Sequence, residues 1–224
     1  MTTVNGNLMI YEALKAKMVS SITPIEGYAS YKVAWNQLNP KYLLMSSARN
    51  AAVLIEVEDM ENCKGLTVKQ EYPHIDAVFG VAWSPKTENL FLTGCSDSKM
   101  RLFDMTSNQP MPLKVFTGHF NRVYNVLFNP NIPNICVSGS DDRTIRVWDI
   151  NKQVCTPIKV LGGDDVKGSH TSNVRALAFL PEISWCLVSG SWDSTIKLWD
   201  IRSGHCMFTM VDHNSDVYGI SLHP

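Results

Sequence analysis

Three segments of the sequence superimpose without a gap, and a chain made of such copies has to fold as repeated units. They are residues 74–104, 119–149 and 170–200, each opening on His and closing on Asp. Counting from each His, Pro stands at +11 (Pro85, Pro130, Pro181), Thr or Ser at +19 (Thr93, Ser138, Ser189) and Asp at +23 (Asp97, Asp142, Asp193). An aromatic follows at +29 (Phe103, Trp148, Trp199). A unit of this size cannot bury its apolar face alone, so neighbouring copies must stack on one another. A fourth copy begins at His213 and reaches its proline at Pro224. A weaker copy precedes the three, with residues 31–35, Pro40, residues 43–47, Asn50 in the place of the Asp, and residues 53–57 without a Trp-Asp ending. Residues 5–12 align with 97–104 and read as the end of a still earlier copy.

Inside each copy the period is two. Val123, Asn125 and Leu127 alternate with Tyr124, Val126 and Phe128, a strand covered on both faces, and Ile145 and Val147 alternate with Thr144, Arg146 and Trp148. Asn-Pro, Ser-Gly-Ser and Asp-Asp turns separate these runs, which predicts antiparallel meanders, and no stretch shows a convincing amphipathic helix. The His-to-His spacings are 45, 51 and 43 residues. That fits a four-stranded propeller blade with one loop insertion, around Gly162, Gly163, Asp164, Asp165 and Gly168. The insertion lacks the Gly-Lys-[ST] order of a phosphate loop.

Gly118-His119 followed by Val147-Trp148-Asp149, and His170 followed by Leu198-Trp199-Asp200, resemble the WD-repeat family of β-propellers. The resemblance implies an all-β fold of four-stranded antiparallel blades. Residues 1–28 would end a preceding blade, 29–72 form a divergent blade, 73–117, 118–168 and 169–211 three regular blades, and 212–224 the first strand of another. At roughly 43 residues per blade the 224 residues fall short of a closed ring. The expectation is an open arc of four blades flanked by two partial ones, with the remaining blades on the same parent chain.

His, Ser and Asp recurring together invite comparison with a hydrolase triad. An active site is needed once, however, and these sets are copied. The family resemblance implies instead a buried hydrogen-bond chain from Trp through Ser or Thr and His to Asp. Its members would be His119, Ser138, Asp142 and Trp148 in one blade and His170, Ser189, Asp193 and Trp199 in the next. In the set His74, Thr93 and Asp97, Phe103 cannot donate, so that chain should be one link short. No catalytic residue, metal site or cofactor is expected.

Lys plus Arg number 20 against 21 Asp plus Glu, a net charge of -1 that supplies no field for nucleic acid or an anionic membrane. The six cysteines are far apart, with no C-x-x-C pair, and there is no signal-like leader or long apolar run. A reducing compartment, the cytoplasm or the nucleus, is the expected setting.

Candidate binding residues stand where strands open onto the propeller rim. At +5 from each His are Phe79, Tyr124, Arg175 and Tyr218, with Tyr31 in the comparable place of the weak copy. At +3 stand Arg122, Asn173 and Asp216, and Trp192 precedes Asp193 in a turn where it would be exposed. Aromatics and Arg dominate interface energies, and the resemblance implies that such rim positions touch ligands; the plainer alternative is that Phe79, Tyr124 and Tyr218 pack around the inner strands. The expected function is a non-catalytic scaffold for another protein or a peptide. The alternative is a substrate receptor of a cullin-RING ubiquitin ligase, because Trp199-Asp200-Ile201-Arg202 fits the W-D-x-[RK] ending that docks some family members on the ligase adaptor through Asp200 and Arg202.

Overall fold

The computed structural model describes residues 4–12, 17–59, 64–164 and 166–222. Cys63, Asp165 and Pro224 lie outside the described residues. The architecture is all-β. A two-stranded hairpin, β1 (Leu8–Glu12) and β2 (Lys17–Ile22), comes first. Four four-stranded antiparallel meanders follow in order. The first blade is β3 (Ser30–Trp35), β4 (Tyr42–Ser47), β5 (Ala51–Asp59) and β6 (Lys64–Pro73), and the second is β7 (Val78–Trp83), β8 (Leu90–Cys95), β9 (Met100–Asp104) and β10 (Lys114–Phe116). The third is β11 (Val123–Phe128), β12 (Ile135–Ser140), β13 (Ile145–Asp149) and β14 (Lys159–Leu161), and the fourth is β15 (Val174–Phe179), β16 (Cys186–Ser191), β17 (Ile196–Asp200) and β18 (His205–Met210). The blades form an open arc: each is a sheet of its own, and among the described residues no apolar cluster packs the fourth blade against the hairpin.

The core lies between blades rather than within them. Middle strands are apolar on both faces, and residue parity decides which neighbour each side chain meets. In the first blade Leu43, Met45, Val53, Ile55 and Val57 pack toward Leu8 of the hairpin, whereas Leu44, Ala52 and Leu54 pack with Val78, Val81 and Phe91 of the second blade. The same division repeats outward, with Met100, Leu102 and Phe116 against Val123, Val126 and Phe128, and with Val137, Ile145 and Val147 against Val174, Leu177 and Phe179.

Close approach of the blades depends on one glycine in each regular copy. A Cβ on Gly94 would lie 2.9 Å from Val123 Cγ1, and one on Gly139 would lie 3.0 Å from Val174 Cγ1. In both cases the valine opens the inner strand of the next blade, so the glycine is the socket into which that strand seats. The first blade has Ser46 at this position, and its hydroxyl donates to the Phe79 carbonyl at 2.9 Å.

Two expectations change. Asn50 does not occupy the aspartate column: it has φ 60°, matching Ser98 (66°), Arg143 (69°) and Ser194 (63°) one position later. Arg49 takes the aspartate's place, its N–H donating to Ser47 Oγ as those of Asp142 and Asp193 donate to Ser140 and Ser191. The left-handed conformation that closes each hairpin suits Asn, so backbone geometry rather than the acid fixes the alignment. Second, residues 217–222 do not form a strand. Val217 donates to the Ser191 carbonyl at 3.0 Å, and its Cγ1 lies 2.5 Å from where a Gly190 Cβ would stand. The segment thus occupies an inner-strand position, but a ladder needs a second strand and the described residues supply none.

Candidate functional site

The rim side chains are presented by a defect repeated in every blade. Pairing between the inner strand and its neighbour skips one residue: Val78 faces Cys95 and Gly80 faces Gly94, leaving Phe79 over. Likewise Tyr124 is passed over between Val123 and Asn125, Arg175 between Val174 and Ala176, and Tyr31 with Lys32 between Ser30 and Val33. A β-bulge frees one residue from the ladder and re-aims its side chain. The bulges turn these residues toward one shared space.

There they touch in sequence. The ring of Tyr31 lies 4.6 Å from that of Phe79, which stacks on Tyr124 at 4.2 Å and 19°. The Arg175 guanidinium sits 3.1 Å over Tyr124 and 3.9 Å over Trp192, and Trp192 meets Tyr218 edge-on at 5.7 Å. The row lines a cavity of about 710 Å³ whose wall also includes Lys32, Asn125 and Leu127. Phe79 is almost wholly covered while Tyr31 and Tyr218 are exposed, so the row is anchored in the middle and open at its ends.

Two polar contacts brace it. Arg175 Nη2 lies 3.2 Å from Asp141 Oδ1, with both side chains buried. Burial lowers the Arg175 pKa to about 10 and raises that of Asp141 to about 6, with Arg122 pulling the carboxyl down and Asp142 pushing it up. Lys32 Nζ donates to Asn125 Oδ1 at 2.7 Å, and Asn125 Nδ2 donates to the Arg175 carbonyl at 3.3 Å. Burial pulls the Lys32 ammonium down to about 8.

The structure therefore brings together Tyr31, Phe79, Tyr124, Arg175, Trp192 and Tyr218. Arg122, Asn173 and Asp216 are not part of the cavity wall. Arg122 is exposed, Asn173 fixes Trp192 by accepting its backbone N–H at 3.0 Å, and Asp216 accepts the Tyr218 hydroxyl at 3.4 Å. Trp192, expected to be exposed, is half-covered because Arg175 lies on its face. Sequence reasoning passed over Lys32, Asn125 and Asp141. Lys32 and Asn125 share the position directly after the skipped residue, but Gly80 and Ala176 hold it in the other blades, so nothing in that column marks it as part of a site.

The His, Ser and Asp sets are buried networks apart from this cavity. His119 Nδ1 meets Asp142 Oδ2 at 2.7 Å, Nε2 meets Ser138 Oγ at 2.7 Å, and Trp148 Nε1 donates to Ser138 Oγ at 2.8 Å. His170, Asp193, Ser189 and Trp199 repeat this at 2.8, 2.7 and 2.7 Å. The distances suit a neutral imidazole, with Trp donating to Ser, Ser to Nε2, and Nδ1–H to the carboxylate. Burial lowers the pKa of both imidazoles although the Asp contacts oppose it. Burial would raise the two carboxyls, but their His and Thr hydrogen bonds outweigh it and hold both well below the usual range.

The second blade departs further than Phe103 implies, and Asp97 is not in its network. His74 Nε2 meets Thr93 Oγ1 at 2.8 Å, but Nδ1 donates to the Tyr72 carbonyl at 2.9 Å. Asp97 is taken by a bidentate contact with Arg101. A charged fork binds a carboxylate strongly, but Arg146 stands in the same column of the third blade, 3.8 Å from Asp142, and leaves that acid with His119. The second blade differs in having Lys99 where Thr144 and Thr195 bond both the acid and the imidazole. In the first blade the equivalents of Ser138 and Trp148 are Met45 and Ile55, both fully buried, and apolar packing replaces the network.

Arg202 lies far out on the fourth blade. Its Nε and Nη2 donate to Asp200 Oδ1 and Oδ2 at 3.0 and 2.8 Å, and its guanidinium covers the Trp185 ring at 4.1 Å. The Arg202 hydrogen bonds hold the Asp200 carboxyl well below the usual range. Among the described residues no group of three His, Cys, Asp or Glu side chains is arranged to hold a metal ion.

Known proteins agree with this architecture. The chain is 39% identical over 56 residues to the lissencephaly-1 homolog of Schistosoma mansoni, and 53% identical over 38 residues to that of Branchiostoma floridae. These matches cover 25% and 17% of the chain but only 13% and 9% of those relatives. A chain in a crystal structure of the mitotic checkpoint complex superimposes over 96% of this chain with a TM-score of 0.77 at 18% identity, and 60% of that chain is covered. The family model for the WD domain, G-beta repeat, matches residues 66–104, 110–149 and 159–200, more than half of the sequence. With four meander blades, the Trp-Ser-His-Asp networks and these three matched repeats, the chain belongs to the WD-repeat family of β-propellers.

Proposed function

We propose that the chain is a non-catalytic interaction scaffold that binds a peptide or partner domain at the mouth of the bulge-lined cavity. The observation that carries this is the continuous row from Tyr31 through Phe79, Tyr124, Arg175 and Trp192 to Tyr218, to which each blade and the segment after the fourth contribute. Aromatic and Arg side chains already held in contact lose little conformational freedom on binding, so contact area converts efficiently to affinity. The buried His sets support a structural role. Each Ser accepts from a Trp, donates to a His and is fully buried, which keeps its oxygen away from any substrate.

Docking on a ubiquitin ligase adaptor through Trp199-Asp200-Ile201-Arg202 has less behind it, because the Nε–Nη2 edge of Arg202 is engaged by Asp200 and one of its faces by Trp185. The test is affinity capture from cell extract by the full-length chain beside its Trp192→Ala and Tyr218→Ala variants. Loss of the captured partners from both variants, with unchanged melting, is the expected result. Retention of every partner by both variants overturns the rim reading, and loss of ligase subunits on Arg202→Ala would revive the alternative.

A further inference from the structure

The cavity has an unmet demand of one sign. Two of the residues lining it are cationic, Lys32 and Arg175, and none is Asp or Glu. Arg175 has a counter-charge, since Asp141 stands behind the wall with Oδ1 3.2 Å from Nη2. Lys32 has none: among the described residues its ammonium contacts only the neutral amide oxygen of Asn125, at 2.7 Å. Lys32 is half-buried on the cavity wall, and an ammonium carries three donors, so with Asn125 taking one, two remain for a ligand there. Arg175 Nε and Trp192 Nε1 are also buried N–H groups with no acceptor. Buried donors are nearly always satisfied, and a desolvated cation without a counter-ion is costly. The exception on the acceptor side, Asp141 Oδ1, lies outside the cavity wall and against Arg175.

We propose that the cavity receives the carboxylate of an Asp or Glu side chain, presented by an extended peptide segment of a partner protein, with Lys32 as its counter-ion. The inference rests on the rim reading above and names the chemistry of its ligand. A cationic side chain is excluded by the same geometry: the place between the Tyr124 and Trp192 faces is already filled by the Arg175 guanidinium, and an incoming cation would meet Lys32 with no acid in the wall. The row of six contacting side chains is longer than one residue of extended chain, about 3.4 Å. A segment crossing the mouth therefore lays one acidic side chain inward and its apolar neighbours on the exposed Tyr31 and Tyr218.

The experiment is selection of N-acetylated, C-amidated decapeptides from a randomised library by the full-length protein, followed by titration of the selected peptides. The expected result is Asp or Glu at one fixed position with aromatic or aliphatic neighbours, and a loss of about tenfold in affinity when Asn or Gln replaces the acid. Lys32→Met should abolish that tenfold preference, and Lys32→Arg should keep it. Asn125→Asp gives Lys32 an internal counter-ion without removing a buried side chain, and it too should abolish the preference; this variant keeps the test intact should Lys32→Met fail to fold. Peptides that depend on Trp192 but carry no acid would overturn this proposal and leave the rim reading standing. So would an acid preference that survives both Lys32→Met and Asn125→Asp. Binding that requires a free C-terminus, or that favours phosphoserine over Glu, would overturn the side-chain assignment. Failure to select any Trp192-dependent peptide overturns both readings.

Discussion

Lys32 of the first blade donates to Asn125 of the third at 2.7 Å, passing over the second blade altogether. All other named side-chain braces of the cavity join adjacent blades or one blade to itself. This strut ties the arc across its hollow side, and it does so with a group that burial disfavours in its charged form, its pKa falling from 10.5 to about 8.

A pH dependence follows. Because the folded-state value lies below the unfolded one, the unfolded chain binds more protons between pH 8 and 10.5. Stability should therefore rise through that window and be flat, as far as Lys32 is concerned, below it. Melting temperatures of the wild type minus those of Lys32→Met, measured at steps across the window, should increase with pH. A difference that stays constant would show that Lys32 is as well solvated as a surface lysine.

Acid should act through the histidines first. Burial pulls His74 down from 6.5 to about 4 and lowers His119 and His170 as well. The unfolded chain takes up these protons first, so stability is lost as pH falls from 6.5 toward 4. Asp142 and Asp193 add a second loss at lower pH, since their carboxylates are favoured in the folded state and must be protonated to unfold. Denaturant titrations of wild type and His74→Gln at pH 7 and 5 should show a smaller drop in the variant. Equal drops would remove His74 from the account.

The serine networks and the threonine network should differ in cost. Ser138→Ala strands both Trp148 Nε1 and His119 Nε2 in a site with no solvent access, and it should destabilise by about 1–3 kcal/mol. Thr93→Val strands only His74 Nε2, because Phe103 makes no hydrogen bond, and about 1 kcal/mol is expected. Urea unfolding of both variants decides it; a Thr93→Val loss equal to that of Ser138→Ala would contradict the shorter chain of bonds.

Gly139→Ala should cost about 1–3 kcal/mol by overpacking, since its Cβ would stand 3.0 Å from Val174 Cγ1 and 3.3 Å from Leu177 Cδ1. Combining it with Val174→Ala should cost less than the two separate losses together, because the valine methyls are what the new carbon strikes. Strict additivity in a double-mutant cycle would disprove the contact.

The matched columns from His74, His119 and His170 made the blades legible, because turn residues and period-two strands recur wherever the backbone repeats. Two of the polar networks were legible through the family resemblance that those columns carry. Asp97 was not: its column matches Asp142 and Asp193, yet Lys99 stands where Thr144 and Thr195 bond the acid, and Arg101 holds Asp97 instead. Asn50 misled because the left-handed turn position and the aspartate beside it accept the same residue types. The site was legible as a column at +5 but not as a geometry. Which residue a ladder skips depends on pairing between two strands, so the inward turn of Lys32 and the stacking of Phe79 on Tyr124 became visible only in three dimensions.

The glycine sockets also govern the shape of the mouth. Gly139 and Val174 set how far the fourth blade is tilted from the third, and the inner strands of those same blades carry Tyr124 and Arg175, 3.1 Å apart at the rim. A single added methyl in the interior would act as a wedge, opening that angle and parting the two side chains without altering any residue that faces a ligand. Affinity at the mouth is in this sense adjustable from the hinge line between blades, where no partner reaches.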